Sequence, residues 1–199
     1  MPHIDDGAVR WGILGVAAIN DSFLPGLRDA TGSEVGAIAS RSLDRAQAAA
    51  RRWAIDAAYG SYDELLADDS LDAVYIPLPN HLHATWVVRA LEAGKHVLCE
   101  KPLTIDRDSM SAIKEAATAS GGLVAEAFMD RFAPRWRRAM KMVRDGAIGE
   151  PRLARVGSAF KQHPAAYNIR FDPAVGGGIE WDMGCYLSAF ARDALGGEP

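Results

Sequence analysis

The chain has 199 residues, with 22 Lys and Arg against 26 Asp and Glu, which gives a formal net charge of −4 at pH 7. Charged residues make up 24% and hydrophobic residues 49%, a balance typical of globular proteins and not of disordered ones. No apolar run approaches the ~18 residues of a membrane span, and the acidic balance argues against nucleic acid as a partner. Two cysteines, Cys99 and Cys185, are too few for a disulfide framework, so we expect a cytoplasmic protein.

Apolar runs of strand length alternate with helix-length segments over the first two thirds of the chain. This alternation is typical of parallel βαβ units. Six strands complete a doubly wound nucleotide-binding sheet, so the predicted fold class is α/β, a Rossmann fold. The predicted strands are 9–14, 35–39, 57–59, 73–78, 96–99 and 123–127, and the helices between them are 17–28, 43–53, 62–67, 82–93 and 107–120. Ser42 and Asp106 can cap helix starts, and Gly94 and Gly121 can end helices.

The character of the sequence changes after residue 127. We predict a dinucleotide-binding domain over residues 1–127 and a partial substrate or oligomerisation domain over residues 128–199. In the second region we expect a helix over 134–144, an antiparallel strand over 152–160, a loop over 163–178 and a helix from Ile179. One strand cannot form a sheet, because its edges would be unpaired. We therefore expect an incomplete α+β domain, whose other strands belong to a missing part of the protein or to another chain.

The first strand ends where a dinucleotide fold presents backbone N–H groups and a helix N-terminus to a pyrophosphate. The candidate turn consists of Gly15, Val16, Ala17, Ala18 and Ile19. Ala17 and Asn20 replace the second and third glycines of the usual fingerprint, and Asn20 is expected to loosen the packing of helix on strand. The alternative is an ordinary strand–helix turn, which the surrounding βαβ pattern disfavours.

The end of the second predicted strand contains the residues that would select the cofactor. Dehydrogenases that prefer NAD place Asp or Glu there to bind the ribose 2′-hydroxyl, whereas this chain has Ser40 and Arg41. A hydroxyl and a planar guanidinium suit a 2′-phosphate. The sequence therefore predicts NADP as the preferred cofactor, with NAD as the second choice. The alternative is a solvated Ser-Arg pair on a loop.

Four further motifs make the chain similar to a known family. They are PNHLH at 79–83, EKP at 100–102, GGG at 176–178 and DMGCY at 182–186. Together with WGILG at 11–15, they resemble the glucose–fructose oxidoreductase/inositol dehydrogenase (Gfo/Idh/MocA) family of NAD(P)-dependent oxidoreductases. Within it, the chain is most similar to the branch of NADP-dependent D-xylose dehydrogenases and dimeric dihydrodiol dehydrogenases. The resemblance extends from about residue 10 to residue 195.

The resemblance implies roles for individual residues. Lys101 matches the lysine that lies near the nicotinamide and the substrate hydroxyl, and Asp182 and Tyr186 match the pair from the second domain that completes the site. Tyrosine, where many members have histidine, is the variant of the xylose/dihydrodiol branch. The family also implies a homo-oligomer and a small-molecule sugar or polyol substrate. Its cofactor pocket is lined at the positions of Leu78, Pro79, Asn80, His83, Glu100, Lys101 and Arg170.

The chemistry of alcohol oxidation agrees with these roles. The nicotinamide takes a hydride, and the protein must supply a base for the hydroxyl proton. A tyrosine has an ordinary pKa near ~10, and a nearby ammonium such as Lys101 lowers that pKa. Asp182, four residues before Tyr186, would share its face of a helix and could hold Lys101 or a sugar hydroxyl. We therefore predict Tyr186 as general acid/base, Lys101 as its electrostatic partner and Asp182 as the orienting residue.

The sequence thus favours an NADP-dependent oxidoreductase acting on CH–OH groups of a sugar or cyclic polyol. One alternative is a dihydrodiol dehydrogenase, which a more apolar pocket would favour. The other is an inactive nucleotide-binding regulator, which the substituted glycines support. No metal site is predicted, because His81 and His83 have no further ligands at suitable spacing. Cys99 is interpreted as a buried hydrophobe.

Overall fold

The computed structural model describes residues 7–161 and 168–198. The first part of the loop predicted over 163–178 lies outside the described residues. The chain divides into two compact units, Met1–Glu126 and Ala127–Pro199. Across the described ranges, none of the helices combines the length and apolar character needed to span a bilayer.

The first unit is built around a parallel sheet of six strands connected by five helices. The strands are β1 (Val9–Leu14), β2 (Ser33–Ala39), β3 (Ala57–Tyr59), β4 (Ala73–Ile76), β5 (His96–Cys99) and β6 (Val124–Glu126). The helices are α1 (Asn20–Asp29), α2 (Leu43–Trp53), α3 (Tyr62–Leu66), α4 (Asn80–Glu92) and α5 (Arg107–Ser120). Their spatial order is β3-β2-β1-β4-β5-β6. This is the order of the doubly wound Rossmann fold, so the predicted fold class is confirmed.

The core lies on the central strands of this sheet. Ile13, Leu14, Val74 and Ile76 have no solvent-exposed surface. Burying an aliphatic side chain of this size contributes ~1.5–3 kcal/mol relative to leaving it in water, so the central strands anchor the unit. Cys99 is also buried, and burial raises the pKa of its thiol well above its ordinary value, which agrees with its interpretation as a hydrophobe.

The helix ends follow the capping residues that the sequence contains. The side-chain oxygens of Ser42 and Asp106 each accept the backbone N–H three residues further along the chain. Gly94 and Gly121 adopt φ of 75° and 68°, the left-handed conformation that ends a helix at glycine. Several boundaries differ from the prediction by one to three residues: α1 begins at residue 20 instead of 17, β2 at 33 instead of 35 and α4 at 80 instead of 82, and β4 ends at 76 instead of 78.

The second unit is helical in its described part. It contains α6 (Pro134–Arg144) and α7 (Cys185–Leu195). The ring of Trp136 on α6 packs against Phe190 on α7, with centroids 3.4 Å apart. The indole Nε1 of Trp136 donates a hydrogen bond of 3.2 Å to Asp193. These contacts hold the two helices together.

The strand predicted over residues 152–160 is wrong. Residues 151–161 have no regular secondary structure, and the apolar side chains of Leu153 and Phe160 are 71% and 48% exposed. A strand is stable only when its N–H and C=O groups pair with a neighbour. In residues 127–161 and 168–198 no strand is present to pair with, so the alternating pattern does not produce one.

One loop of the first unit depends on a buried lysine. Lys95 is only 5% exposed and lies between α4 and β5. Its Nζ donates to the backbone oxygens of Asp68 at 2.8 Å and Leu71 at 2.9 Å. The ammonium group therefore supplies donors to two carbonyls of the loop between α3 and β4.

We predict that Lys95→Met lowers the free energy of unfolding by ~2–4 kcal/mol, because methionine fills the space but leaves both carbonyls without this donor. Denaturant titration measures the change. Lys114→Met, on the exposed surface of α5, is the control and should change stability by less than ~0.5 kcal/mol. Equal effects of the two substitutions would contradict the role of Lys95.

Candidate functional site

The strand order opens a crevice at one edge of the sheet. Because β1 lies between β2 and β4, the chain leaves β1 and β4 toward opposite faces of the sheet. The turn 15–19 follows β1, residues 40–42 follow β2, residues 77–79 follow β4 and residues 100–106 follow β5. All strands are parallel, so these loops lie at the same edge. The structure thus brings to one edge the loops that contain the predicted cofactor-binding residues of the first unit.

Gly15 lies at this edge in a position that has little room for a side chain. Its φ is +137°, a conformation that residues other than glycine rarely adopt. A Cβ added at Gly15 would lie 3.0 Å from Cδ2 of Leu78. The turn after β1 therefore packs directly against the loop after β4. Gly15 is buried, whereas Ala18, further along the turn, is exposed where a dinucleotide fold binds a phosphate group.

Asn20 joins the start of α1 to the turn, and its expected loosening of the packing of helix on strand stays a prediction. The residue is only 2% exposed, and its Nδ2 donates a hydrogen bond of 2.9 Å to the carbonyl oxygen of Gly15. Its Oδ1 is buried and has no hydrogen-bond partner among the described residues. Asn20 also lines a cavity of about 290 Å³ together with Val16 and Ala17. A buried acceptor without a protein donor suits a ligand that carries hydroxyl groups, so these residues fit a nucleotide.

The residues after β2 differ in accessibility. Ser40 is only 6% exposed, and its Oγ accepts the N–H of Ser42 at 3.4 Å. Arg41 is exposed, and its side chain is hydrogen-bonded to Tyr62 of α3. The guanidinium is therefore the accessible group of the predicted pair.

Arg45, in the first turn of α2, was not among the predicted cofactor-binding residues. Its Nη2 lies 3.4 Å from the carbonyl oxygen of Val16, and its side chain lines the same cavity as the turn after β1. The sequence indicated this role only through position: Arg45 is a second basic residue, four positions after Arg41, in the first turn of the helix that follows β2. Arg45 brings a second cation to the predicted phosphate-binding region.

The segment that carries Lys101 is held by two carboxylates. The N–H of Lys101 donates to the side chain of Glu100 at 3.3 Å. Beyond the following proline, the N–H of Leu103 donates to Glu126, at the end of β6, at 2.9 Å. The Lys101-Pro102 peptide bond is cis. The backbone of this segment is thus anchored on both sides of Lys101.

His83 connects the loops that follow β4 and β5. It has no exposed surface, and its Nδ1 and Nε2 each lie 2.7 Å from a backbone oxygen, of Pro102 and Leu78 respectively. Burial lowers the pKa of His83, and the contacts with the two backbone oxygens oppose this shift. Because the ring has no exposed surface, its contribution to the crevice is to hold these two loops together. Leu78, Pro79 and Asn80 lie directly at the sheet edge, where α4 begins.

The second unit brings Arg170 and Asp182 together. The Nε of Arg170 lies 2.9 Å from Oδ2 of Asp182, and the Asp182 side chain is only 16% exposed. Both residues line a cavity of about 300 Å³, whose wall also includes Phe160, Phe171 and Ile179. The cavity therefore combines an ion pair with an apolar wall.

Tyr186 lies at the start of α7 and is 9% exposed. Its ring packs against Phe128, with centroids 4.8 Å apart. The residues before it, Glu180–Gly184, form a π-helical turn, so the chain does not enter a regular α-helix at Ile179. A π-helical turn is wider than that of an α-helix, and the alignment of Asp182 and Tyr186 on one helix face stays a prediction. Such turns are frequent at functional sites.

The three residues predicted to be catalytic are divided between the units. Lys101 belongs to Met1–Glu126, and Asp182 and Tyr186 belong to Ala127–Pro199. Their assembly into one active site stays a prediction. In the part of the chain that the structure describes, no three His, Cys, Asp or Glu side chains are grouped so that they could hold a metal ion.

The sheet order, the glycine turn and the cavity beside it define a dinucleotide-binding Rossmann domain. Residues 9–128 match the oxidoreductase family with an NAD-binding Rossmann fold, and residues 136–199 match the GFO/IDH/MocA C-terminal domain. The chain belongs to the Gfo/Idh/MocA family of oxidoreductases.

Known relatives resemble most of the chain. An uncharacterized oxidoreductase of Rhizobium meliloti is 47% identical over 96% of this chain and 57% of its own length. The D-xylose 1-dehydrogenase (NADP(+)) 2 of Haloferax volcanii is 46% identical over 94% of this chain and 58% of its own length. A solved structure is also similar: the crystal structure of KijD10, a 3-ketoreductase from Actinomadura kijaniata, in complex with NADP and TDP-benzene. It matches with a TM-score of 0.82 and 38% identity, over 96% of this chain and 58% of KijD10. The chain thus spans 57–58% of the length of these relatives.

We predict that Gly15→Ala weakens NADP(H) binding by about tenfold or more, because the new Cβ strains the backbone and displaces Leu78 from the turn. Calorimetric titration measures the dissociation constant. Gly32→Ala is the matched control, because Gly32 also has a positive φ, of 77°, but nothing lies within 4 Å of an added Cβ. The control should lose stability without losing affinity, and equal affinities for both variants would contradict the role of Gly15.

Proposed function

We propose that the protein is an NADP-dependent oxidoreductase that transfers a hydride between the cofactor and the CH–OH group of a sugar or cyclic polyol. The observation that carries this proposal is the presence of the Lys101 loop and the Gly15 turn at one edge of the family's Rossmann sheet. A lysine beside a dinucleotide site provides the charge needed to stabilise an alkoxide or phenolate.

The choice of NADP is supported by two arginines. Arg41 is exposed after β2, and Arg45 lies against the turn at Val16. No carboxylate occupies the end of β2, where it would bind an unphosphorylated ribose. A guanidinium forms paired hydrogen bonds to phosphate oxygens. The NADP named for the xylose dehydrogenase and bound in KijD10 agrees with this choice.

Tyr186, Lys101 and Asp182 have separate roles in proton transfer and substrate binding. Bound NADP supplies the hydride acceptor or donor. In alcohol oxidation, the phenolate of Tyr186 takes the proton of the substrate hydroxyl, and the Lys101 ammonium stabilises that phenolate. The Asp182 carboxylate accepts a hydrogen bond from a second substrate hydroxyl, and Arg170 holds the carboxylate in place at 2.9 Å.

The cavity in the second unit supports a second candidate, oxidation of an aromatic dihydrodiol. Phe160, Phe171 and Ile179 give the cavity an apolar wall opposite the Arg170–Asp182 pair. Such a wall favours a substrate with a hydrophobic ring and adjacent hydroxyl groups over a fully hydroxylated aldose. A panel of aldoses, polyols and dihydrodiols, assayed by NADPH absorbance, distinguishes the two candidates.

We predict that Arg41→Ala and Arg45→Ala each raise the KM for NADP by ~10–100-fold and leave the KM for NAD almost unchanged. Each substitution removes charge-assisted hydrogen bonds to the 2′-phosphate, which contribute ~1.5–3 kcal/mol. Initial rates with both cofactors measure the effect. Arg51→Ala, on the exposed end of α2, is the control and should leave both KM values unchanged. A wild-type preference for NAD that Arg41→Ala does not alter would refute the assignment.

We predict that Tyr186→Phe lowers kcat by ~10²-fold or more, because the general acid/base is removed, while the dissociation constant of NADPH stays unchanged. Cys185→Ala alters the neighbouring position and should retain turnover. An active Tyr186→Phe enzyme would exclude this role for the phenol. A protein that binds NADPH but turns over no member of the substrate panel would support the regulator instead.

A further inference from the structure

Tyr75 places a hydroxyl group in the middle of the apolar sheet. The residue lies on β4 and has no exposed surface. A buried tyrosine hydroxyl needs a hydrogen-bond partner, because leaving it unpaired in the core is costly. The Tyr75 hydroxyl donates to Oε1 of Glu100 at 2.7 Å. This bond connects β4 with the residue that follows β5.

Glu100 connects Tyr75 to the backbone of Lys101. Its second oxygen, Oε2, accepts the backbone N–H of Lys101 at 3.3 Å. The N–H of Glu100 itself donates to the carbonyl oxygen of Ile76 at 3.0 Å, which extends the pairing of β5 with β4. The carboxylate is therefore held by Tyr75 on one oxygen and contacts the Lys101 backbone with the other.

The ring of Tyr75 has a partner as well as its hydroxyl. It stacks on Phe23, with centroids 3.6 Å apart and an angle of 14° between the planes. Phe23 lies on α1, the helix that begins directly after the Gly15 turn. Tyr75 thus contacts both the helix of the nucleotide turn and the anchor of the lysine segment.

We propose that Tyr75 is a positioning residue for Lys101, acting through the carboxylate of Glu100. Removing the hydroxyl takes away the bond that holds the Glu100 carboxylate, so the contact of that carboxylate with the Lys101 backbone becomes less well fixed. Small displacements of a catalytic group lower the rate strongly, by up to ~10²-fold for 1 Å. The kinetic consequence rests on the proposed function, whereas the anchoring of Lys101 does not.

The test uses Tyr75→Phe in the intact protein, with Tyr59→Phe as the matched control. Both substitutions remove a hydroxyl that donates to a carboxylate, since Tyr59 on the edge strand β3 donates to Asp68 at 2.9 Å. For Tyr75→Phe we expect kcat to fall by ~10-fold or more and the KM for NADP to change by less than ~2-fold. Tyr59→Phe should leave both kcat and the KM for NADP unchanged.

A second measurement does not depend on turnover. Amide hydrogen exchange of the peptide containing Lys101 should be faster in Tyr75→Phe than in the wild type and unchanged in Tyr59→Phe. Unchanged exchange of that peptide, or an unchanged kcat of Tyr75→Phe, would overturn the proposal. If the wild type turns over no substrate, the proposed function fails, and the exchange result alone decides whether Tyr75 anchors Lys101.

Discussion

The contact between the turn after β1 and the loop after β4 is the constraint on which the site depends. The two loops approach so closely that a Cβ at Gly15 would lie 3.0 Å from Leu78. The contact exists because β1 and β4 are neighbours in the sheet although they are not consecutive in the chain. From this junction, His83 connects the β4 loop with Pro102, beside Lys101. The nucleotide turn and the lysine segment are therefore parts of one rigid edge.

Much of the first unit could be predicted because its signals are local. Long apolar runs such as Ala73–Ile76 indicate buried parallel strands, and Ser42, Asp106 and Gly121 mark helix ends through their own hydrogen bonds and backbone preferences. The start of α1 was predicted three residues too early, because Val16, Ala17 and Ile19 are apolar residues in a turn. Their conformation is imposed by the packing of the turn, which periodicity does not report.

The second unit was harder to predict because its structure depends on partners distant in sequence. The alternation over residues 152–160 indicates a strand only if a neighbouring strand is available. The π-helical turn before Tyr186 leaves no signature in residue spacing, so a regular α-helix was predicted from Ile179. Arg45 was missed for a related reason, since its proximity to Val16 arises only when α2 folds back beside α1. These features follow from tertiary contacts and not from local preference.

Asn20 stands at the third position of the nucleotide fingerprint. The side-chain amide of Asn20 donates to the carbonyl oxygen of the first glycine at 2.9 Å. A hydrogen bond therefore connects the helix to the turn at a position where the usual fingerprint has glycine. A search for three glycines would pass over this chain. A search that also allows alanine at the second position and an amide side chain at the third would include it.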